Sequence, residues 1–124
     1  MSLLQRFRTW RMRRRLAAEV AAMDSRALAD LGQTRSELLN FLHYPADIRS
    51  RMARMARVFG ADITRLERVR GAWAEAAHAC GTCCFRDACA RELDAAATTA
   101  ARCGFCPNAD TWRDMAGERA SRAA

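Results

Sequence analysis

Cys80-Gly-Thr-Cys83-Cys84-Phe-Arg-Asp-Ala-Cys89, followed by Cys103-Gly-Phe-Cys106-Pro107-Asn108, is the stretch on which the reading of this chain turns. All six cysteines lie between positions 80 and 106 of a 124-residue sequence. Thiolates are soft ligands, and four of them around one ion or cluster make a crosslink that substitutes for hydrophobic core. Residue spacing alone leaves two groupings open. Cys80-x2-Cys83 with Cys103-x2-Cys106 is a pair of glycine-containing turns of the kind that holds zinc. Cys80-x2-Cys83-x5-Cys89 with Cys106-Pro107 has the cysteine–proline exit frequent at iron–sulfur sites, where the ring blocks helix and fixes the chain direction.

Working outward, the rest of the chain reads as helix. Ile48, Met52, Met55 and Phe59 recur at helical spacing, and Gly60 ends that run. Ile63, Leu66, Val69, Trp73, Ala77 and Cys80 form a second stripe that leads straight into the cysteines; both stripes are expected to be helix–helix core. Residues 88–101 read as another helix, a last one runs from about Asn108 to Ala116, and residues 118–124 are expected to fray after Gly117. Toward the N-terminus, Tyr44-Pro45 interrupts helix and marks a boundary between segments 1–44 and 45–117. Thr34-Arg-Ser-Glu37 is a capping-box pattern, and Gly32 closes a short helix before it. The expected fold is therefore all-α: about five to six helices, a four-cysteine metal site and an arginine-rich N-terminal helix or arm.

Charge is unevenly placed. All 21 basic residues are arginine and the net charge is +7. Residues 1–18 contain Arg6, Arg8, Arg11, Arg13, Arg14 and Arg15 and no acid, whereas residues 71–124 are nearly balanced. Residues 49–70 form a second basic block. Such blocks suit a polyanion or an anionic membrane surface. Leu3, Phe7 and Trp10 share one side of the first helix, but the arginines spread around it, so it buries no clean apolar stripe and reads as an arm for a partner. Arg6 to Arg15 would neutralise phosphates, and Phe7 and Trp10 would stack on unpaired RNA bases. A membrane surface, or a protein partner, is the alternative use of the same helix. The helix–turn–helix outline over residues 26–43 offers a DNA reading in which Gln33, Arg35, Ser36 and Asn40 face bases.

Two resemblances sharpen these readings. Trp10-Arg-Met-Arg-Arg-Arg-Leu and Met23-Asp-Ser-Arg-Ala-Leu-Ala-Asp-Leu-Gly-Gln-Thr-Arg-Ser-Glu-Leu39 resemble the small arginine-rich YjiS-like domains, over residues 7–39. The resemblance implies a small cytosolic protein with a role in RNA binding. Residues 52–115 resemble a bacterial cysteine domain of unknown function with the signature C-x2-C-x5-C-x2-[DE]-L and then C-P-N-A. This chain supplies it as Cys80, Cys83, Cys89, Glu92-Leu93 and Cys106-Pro107-Asn108-Ala109. That resemblance implies a metal set of Cys80, Cys83, Cys89 and Cys106, with Cys84 and Cys103 as extras; separately, His78, two residues before Cys80, is a fallback ligand by position. The C-x2-C-x5-C core also recurs in WhiB-like regulators and helix-hairpin-helix glycosylases, which carry [4Fe–4S] clusters on unrelated folds. A [4Fe–4S] cluster and Zn2+ both remain expectations.

No catalytic triad, phosphate loop or paired carboxylates stand out, so no enzymatic activity is expected. No apolar run approaches the ~20 residues of a membrane span, and no secretory leader is evident, so a cytoplasmic location is expected. The reading is of a regulator or adaptor in which the metal acts as clamp or as redox or iron sensor.

Overall fold

In the computed structural model, which describes residues 2–123, every regular element among the described residues is helical. Helix α1 (Leu3–Ala22) starts because Ser2 and Gln5 close a capping box: Gln5 N–H donates to Ser2 Oγ at 3.2 Å and Ser2 N–H to Gln5 Oε1 at 2.9 Å. Helix α2 (Ser25–Leu31) is capped by Asp24 and ended by Gly32, whose φ of 64° is the left-handed conformation that a residue without a Cβ adopts with least strain. Helix α3 (Arg35–His43) opens on the Thr34/Glu37 capping box. Glu37 accepts two hydrogen bonds from Thr34, which hold its carboxyl below the usual range.

The chain divides into two compact units, Met1–Tyr44 and Pro45–Ala124. In the first unit α1 packs on α3, and Arg35 reaches back to donate to the Val20 and Met23 carbonyls at the end of α1. Among the described residues, no side chain of α1, α2 or α3 is fully buried. Leu28, Leu38, Leu39 and Leu42 are half-buried, whereas Leu31, which the apolar pattern groups with them, is exposed.

The second unit has a core. Helix α4 (Ile48–Val58) buries Ile48, Met52 and Met55, and Phe59 is buried just beyond it, all four on the expected stripe. Gly60 (φ 82°) turns the chain. Helices α5 (Ile63–Glu67) and α6 (Arg70–Gly81) pack on each other and on α4, burying Ile63, Leu66, Ala76 and Ala77. Helix α7 (Arg86–Asp94), a 3-10 turn (Ala100–Cys103) and α8 (Ala109–Ala123) complete the unit, and Trp112 of α8 is 0% exposed. Filling the core with Met52, Met55 and Trp112 stabilises by roughly 1.5–3 kcal/mol per side chain.

The element count departs from the sequence expectation in three places, each with a local cause. The stripe expected as one helix from Ile63 to Cys80 breaks at Arg68-Val69. There the β-branched Val69 takes extended dihedrals (φ −111°, ψ 94°) and lies 58% exposed. The helix expected over 88–101 stops at Asp94, where Ala95 turns extended and Thr98 Oγ1 donates to Glu92 Oε2 at 3.0 Å. The segment expected to fray after Gly117 stays helical to Ala123, where Glu118 accepts from Arg65 at 2.9 Å. Eight α-helices and a 3-10 turn, among the described residues, replace five to six.

Candidate functional site

The cysteines are brought together by three local structures. Cys80 sits in the last turn of α6, and Cys83 in the loop that leaves it. Cys89 projects from α7, and Cys106 follows the 3-10 turn, its N–H donating to the Cys103 carbonyl at 3.0 Å. Asn108 fixes the last of these: its buried Nδ2 donates to the Ala76 carbonyl of α6 at 2.9 Å, tying the Cys106-Pro107-Asn108 loop to the helix that carries Cys80.

One cavity of about 20 Å³ is lined by Cys80, Cys83, Cys89 and Cys106, together with Arg51, Arg86, Asn108 and Trp112. That volume exceeds the roughly 10–15 Å³ that a water-sized guest needs. Cys84 is exposed and Cys103 buried, and neither lines the cavity; His78 is exposed and also outside it. The cavity therefore gathers the Cys80, Cys83, Cys89 and Cys106 grouping, and of the twin-turn grouping it lacks Cys103. Among the described residues, no three or more His, Cys, Asp or Glu side chains converge closely enough on one point to hold a metal ion. The four sulfurs stand around the walls instead.

Their protonation follows from this placement. Burial, and next the neighbouring Cys89 and Cys106 sulfurs, push the Cys80 thiol up to about 11. Burial also raises Cys89, against the opposing pull of Arg51. Burial raises Cys106 too, while the Asn108 N–H and the Trp112 indole favour its thiolate. Neutral thiols are what burial favours in the metal-free pocket, so any cation entering must displace protons.

The cavity wall carries hydrogen-bond donors that no pattern in the sequence singles out. The Phe85 N–H donates to Cys83 Sγ at 3.3 Å. Arg86 Nη1 and Trp112 Nε1 are buried and have no hydrogen-bond partner. The Trp112 N–H is close enough to the Cys106 sulfur to favour its thiolate without closing a well-formed bond to it. A neutral thiol is a weak acceptor and a thiolate or sulfide a strong one. Asp47 lies behind this wall and accepts from both Arg51 (2.8 Å) and Arg86 (2.9 Å). Trp112 escapes sequence reasoning because a lone aromatic in a polar helix resembles any core anchor. Arg51 and Asp47 escape it because Arg86, which they meet, lies 35 and 39 positions away.

The second candidate surface is α1. Arg6, Arg8, Arg11, Arg13, Arg14 and Arg15 are all exposed. Phe7 and Trp10 stack at 5.8 Å and 25°, half exposed, with Arg11 over Phe7 (5.8 Å) and Arg14 over Trp10 (5.0 Å). Arg15 alone of the six forms an ion pair among the described residues, with Glu19 at 3.1 Å. Of the four residues that the helix–turn–helix reading turns toward bases, Arg35 donates to the carbonyls ending α1 and Gln33 has its Oε1 buried. No helix among the described residues is long and apolar enough to cross a membrane.

A YjiS-like domain is matched over residues 3–39. A family of unknown function, DUF6455, is matched over residues 43–118. No curated protein and no solved structure matches the chain. Matched over more than half its length, the chain belongs to the DUF6455 family of unknown function and carries a YjiS-like domain ahead of that region.

Proposed function

We propose that this chain is a non-enzymatic regulator or adaptor: a thiolate metal centre at Cys80, Cys83, Cys89 and Cys106 organises its second unit, and α1 binds RNA. One observation carries the metal reading. Four cysteines and two buried, unpartnered N–H donors, Arg86 Nη1 and Trp112 Nε1, line the same cavity. Leaving such donors unsatisfied costs about 1–3 kcal/mol each, and sulfurs made anionic by a metal are the acceptors this wall calls for. Zinc(II) and an oxidised [4Fe–4S] core both carry two positive charges, so with four thiolates either guest forms a centre of net charge −2. When bound, that centre supplies a crosslink between α6, α7 and the Cys106 loop; a cluster adds a redox state. The residues of the chain would hold it and donate hydrogen bonds toward it.

For α1, support comes from the arrangement of the cations. A helix that lies flat on a membrane needs one apolar face and one charged face. The arginines of α1 are interleaved with its exposed apolar residues instead of segregated from them, and its aromatic pair is itself covered by Arg11 and Arg14. Phosphates along the exposed arginines, with unpaired bases meeting Phe7 and Trp10, fit that distribution better.

The test is metal analysis and a visible spectrum of protein isolated without oxygen, with RNA binding measured on the same sample. A brown, air-bleached protein identifies a cluster; a colourless protein with one zinc identifies the other guest. A colourless chain free of both metals, and equally well folded after chelation, ends the metal reading. Co-sedimentation with anionic vesicles in the absence of RNA binding would move α1 to the membrane instead.

A further inference from the structure

Other ion pairs of the Pro45–Ala124 unit match one arginine to one carboxylate: Arg49 with Glu67, Arg54 with Asp94, Arg65 with Glu118. Asp47 differs, serving Arg51 and Arg86 at once. Two guanidinium groups against one carboxylate leave an uncompensated positive charge, and both guanidinium groups line the cysteine cavity. Arg51 also donates from Nη1 to the Arg86 carbonyl at 3.1 Å, so the two arginines and the start of α7 are braced together. The side chains are only 16% (Arg51) and 30% (Arg86) exposed, so the excess charge is poorly screened by water. Four neutral thiols give no reason to keep a surplus cation at a partly buried wall. A centre of net charge −2 does.

We infer that Arg51 and Arg86, oriented by Asp47, are the built-in counter-charge of the thiolate centre, and that Arg86 gives its unpartnered Nη1–H to a sulfur of it. The inference rests on the metal reading above. Arg51 and Arg86 are positioning and charge-compensating residues here, not ligands. Their cations favour the four-thiolate state over four thiols, so they favour metal retention. In an iron-loaded protein they also favour the reduced form, which carries one more negative charge.

The experiment uses the full chain, isolated without oxygen, with whichever of iron or zinc it carries titrated against a chelator. Arg51→Met and Arg86→Met are expected to release the metal at about tenfold lower chelator concentration. Arg86→Lys, which keeps the charge, recovers most of that loss, and Arg49→Met stays at the wild-type level. With iron bound, a tenfold shift in the ratio of reduced to oxidised centre lowers the midpoint by about 59 mV in Arg51→Met. Asp47→Asn decides between charge and simple bracing. It removes a negative charge and keeps one of the two acceptor oxygens, while the Arg51 bond to the Arg86 carbonyl still braces the pair, so a counter-charge role predicts retention equal to or tighter than wild type. Should Asp47→Asn lose metal as readily as Arg51→Met, or should both methionine variants hold metal like wild type, the inference is overturned. If Arg51→Met does not fold, Arg86→Lys and Asp47→Asn still decide between the two roles. A wild-type chain without metal is a different failure, that of the underlying reading, and shows before any variant is made.

Discussion

Arginine is the sole basic residue type, histidine aside, in both units of this chain, and the two units use it in opposite ways. In the Pro45–Ala124 unit arginines are engaged internally: Arg49, Arg51, Arg54, Arg65, Arg86, Arg102 and Arg113 all meet carboxylates. In α1 the six arginines meet one acid between them among the described residues, and the pair formed, Arg15–Glu19, is so exposed that it contributes little. Cation density alone therefore says little about a polyanion surface. In the basic block at residues 49–70, which on charge count rivals α1, Arg49, Arg51, Arg54 and Arg65 meet Glu67, Asp47, Asp94 and Glu118. What distinguishes α1 is that five of its six arginines form no ion pair among the described residues, and that none of its described side chains is buried. One unit is held by a buried core; the other presents charge.

The largest expected effect tests the first half of that contrast. Cys106→Ser should empty the proposed centre and remove most of the stability of the second unit. Structural zinc contributes about 10–16 kcal/mol in small peptides, comparable to a typical domain's whole margin of roughly 5–15 kcal/mol. Metal per chain and the thermal transition of the purified variant are the readouts. Cys84→Ser, at an exposed thiol outside the cavity, should leave both unchanged. Equal damage from the two substitutions would mean that the cavity does not define the ligand set.

Next in size is the salt dependence of RNA binding, which tests the second half. Six phosphate contacts to a single strand give a slope of log affinity against log salt of about −4, or about 300-fold between 50 and 200 mM. Replacing Arg6, Arg8, Arg11, Arg13, Arg14 and Arg15 by glutamine should flatten the slope. Replacing Arg49, Arg54 and Arg65, which are already paired, should not. A slope that follows the second set would reverse the assignment of the two units.

How far the sequence foretells this differs by unit for physical reasons. The stripe Ile48, Met52, Met55 and Phe59 is legible because an amphipathic helix writes its burial into a period of 3.6. The caps at Ser2, Asp24 and Thr34 involve residues at most three apart, and those at Asp24 and Thr34 are legible for that reason. The break at Val69 is not, because it depends on which of two adequate conformations tertiary packing favours, and a continuous apolar stripe hides it. At the cysteines, spacing leaves two groupings in play; the resemblance to the cysteine domain picks out Cys80, Cys83, Cys89 and Cys106, and these four line one cavity while Cys103 lies outside it. The wall of the cavity is least legible. Arg51 and Asp47 meet Arg86 across 35 and 39 positions, and Trp112 arrives from α8, separations that no local pattern encodes.

A smaller effect concerns the metal-free state of the second unit. Cys80 ordinarily titrates at 9.0 and is pushed up to about 11 in the fold by burial and then by the neighbouring sulfurs. Below 9.0 both folded and unfolded chains hold the proton and stability is level. Between these values the unfolded chain releases it and the folded chain does not, so stability should fall as pH rises toward about 11. Denaturant midpoints of the reduced, chelated protein read this directly, and Cys80→Ser should shallow the decline. The metal-loaded protein should show the reverse dependence, losing stability in acid, because protons then compete with the metal for sulfur.

The smallest effect is the cleanest local test of what holds the second unit together at its edge. Gly117 lies inside α8, and a Cβ built on it meets nothing within 4 Å. In a helix interior glycine costs about 0.5–1 kcal/mol relative to alanine, through the backbone freedom it loses on folding. Gly117→Ala should therefore stabilise the unit by about that amount, visible as a small rise in its thermal midpoint. The gain exists only if the turn beyond Gly117 is helical in solution, as the Arg65–Glu118 pair at 2.9 Å implies. A frayed end, which the glycine and the alanine-rich tail would suggest by composition, gives no gain at all. The sign of one methyl group thus separates a helix carried to Ala123 by its contact with α5 from one that ends where its sequence first weakens.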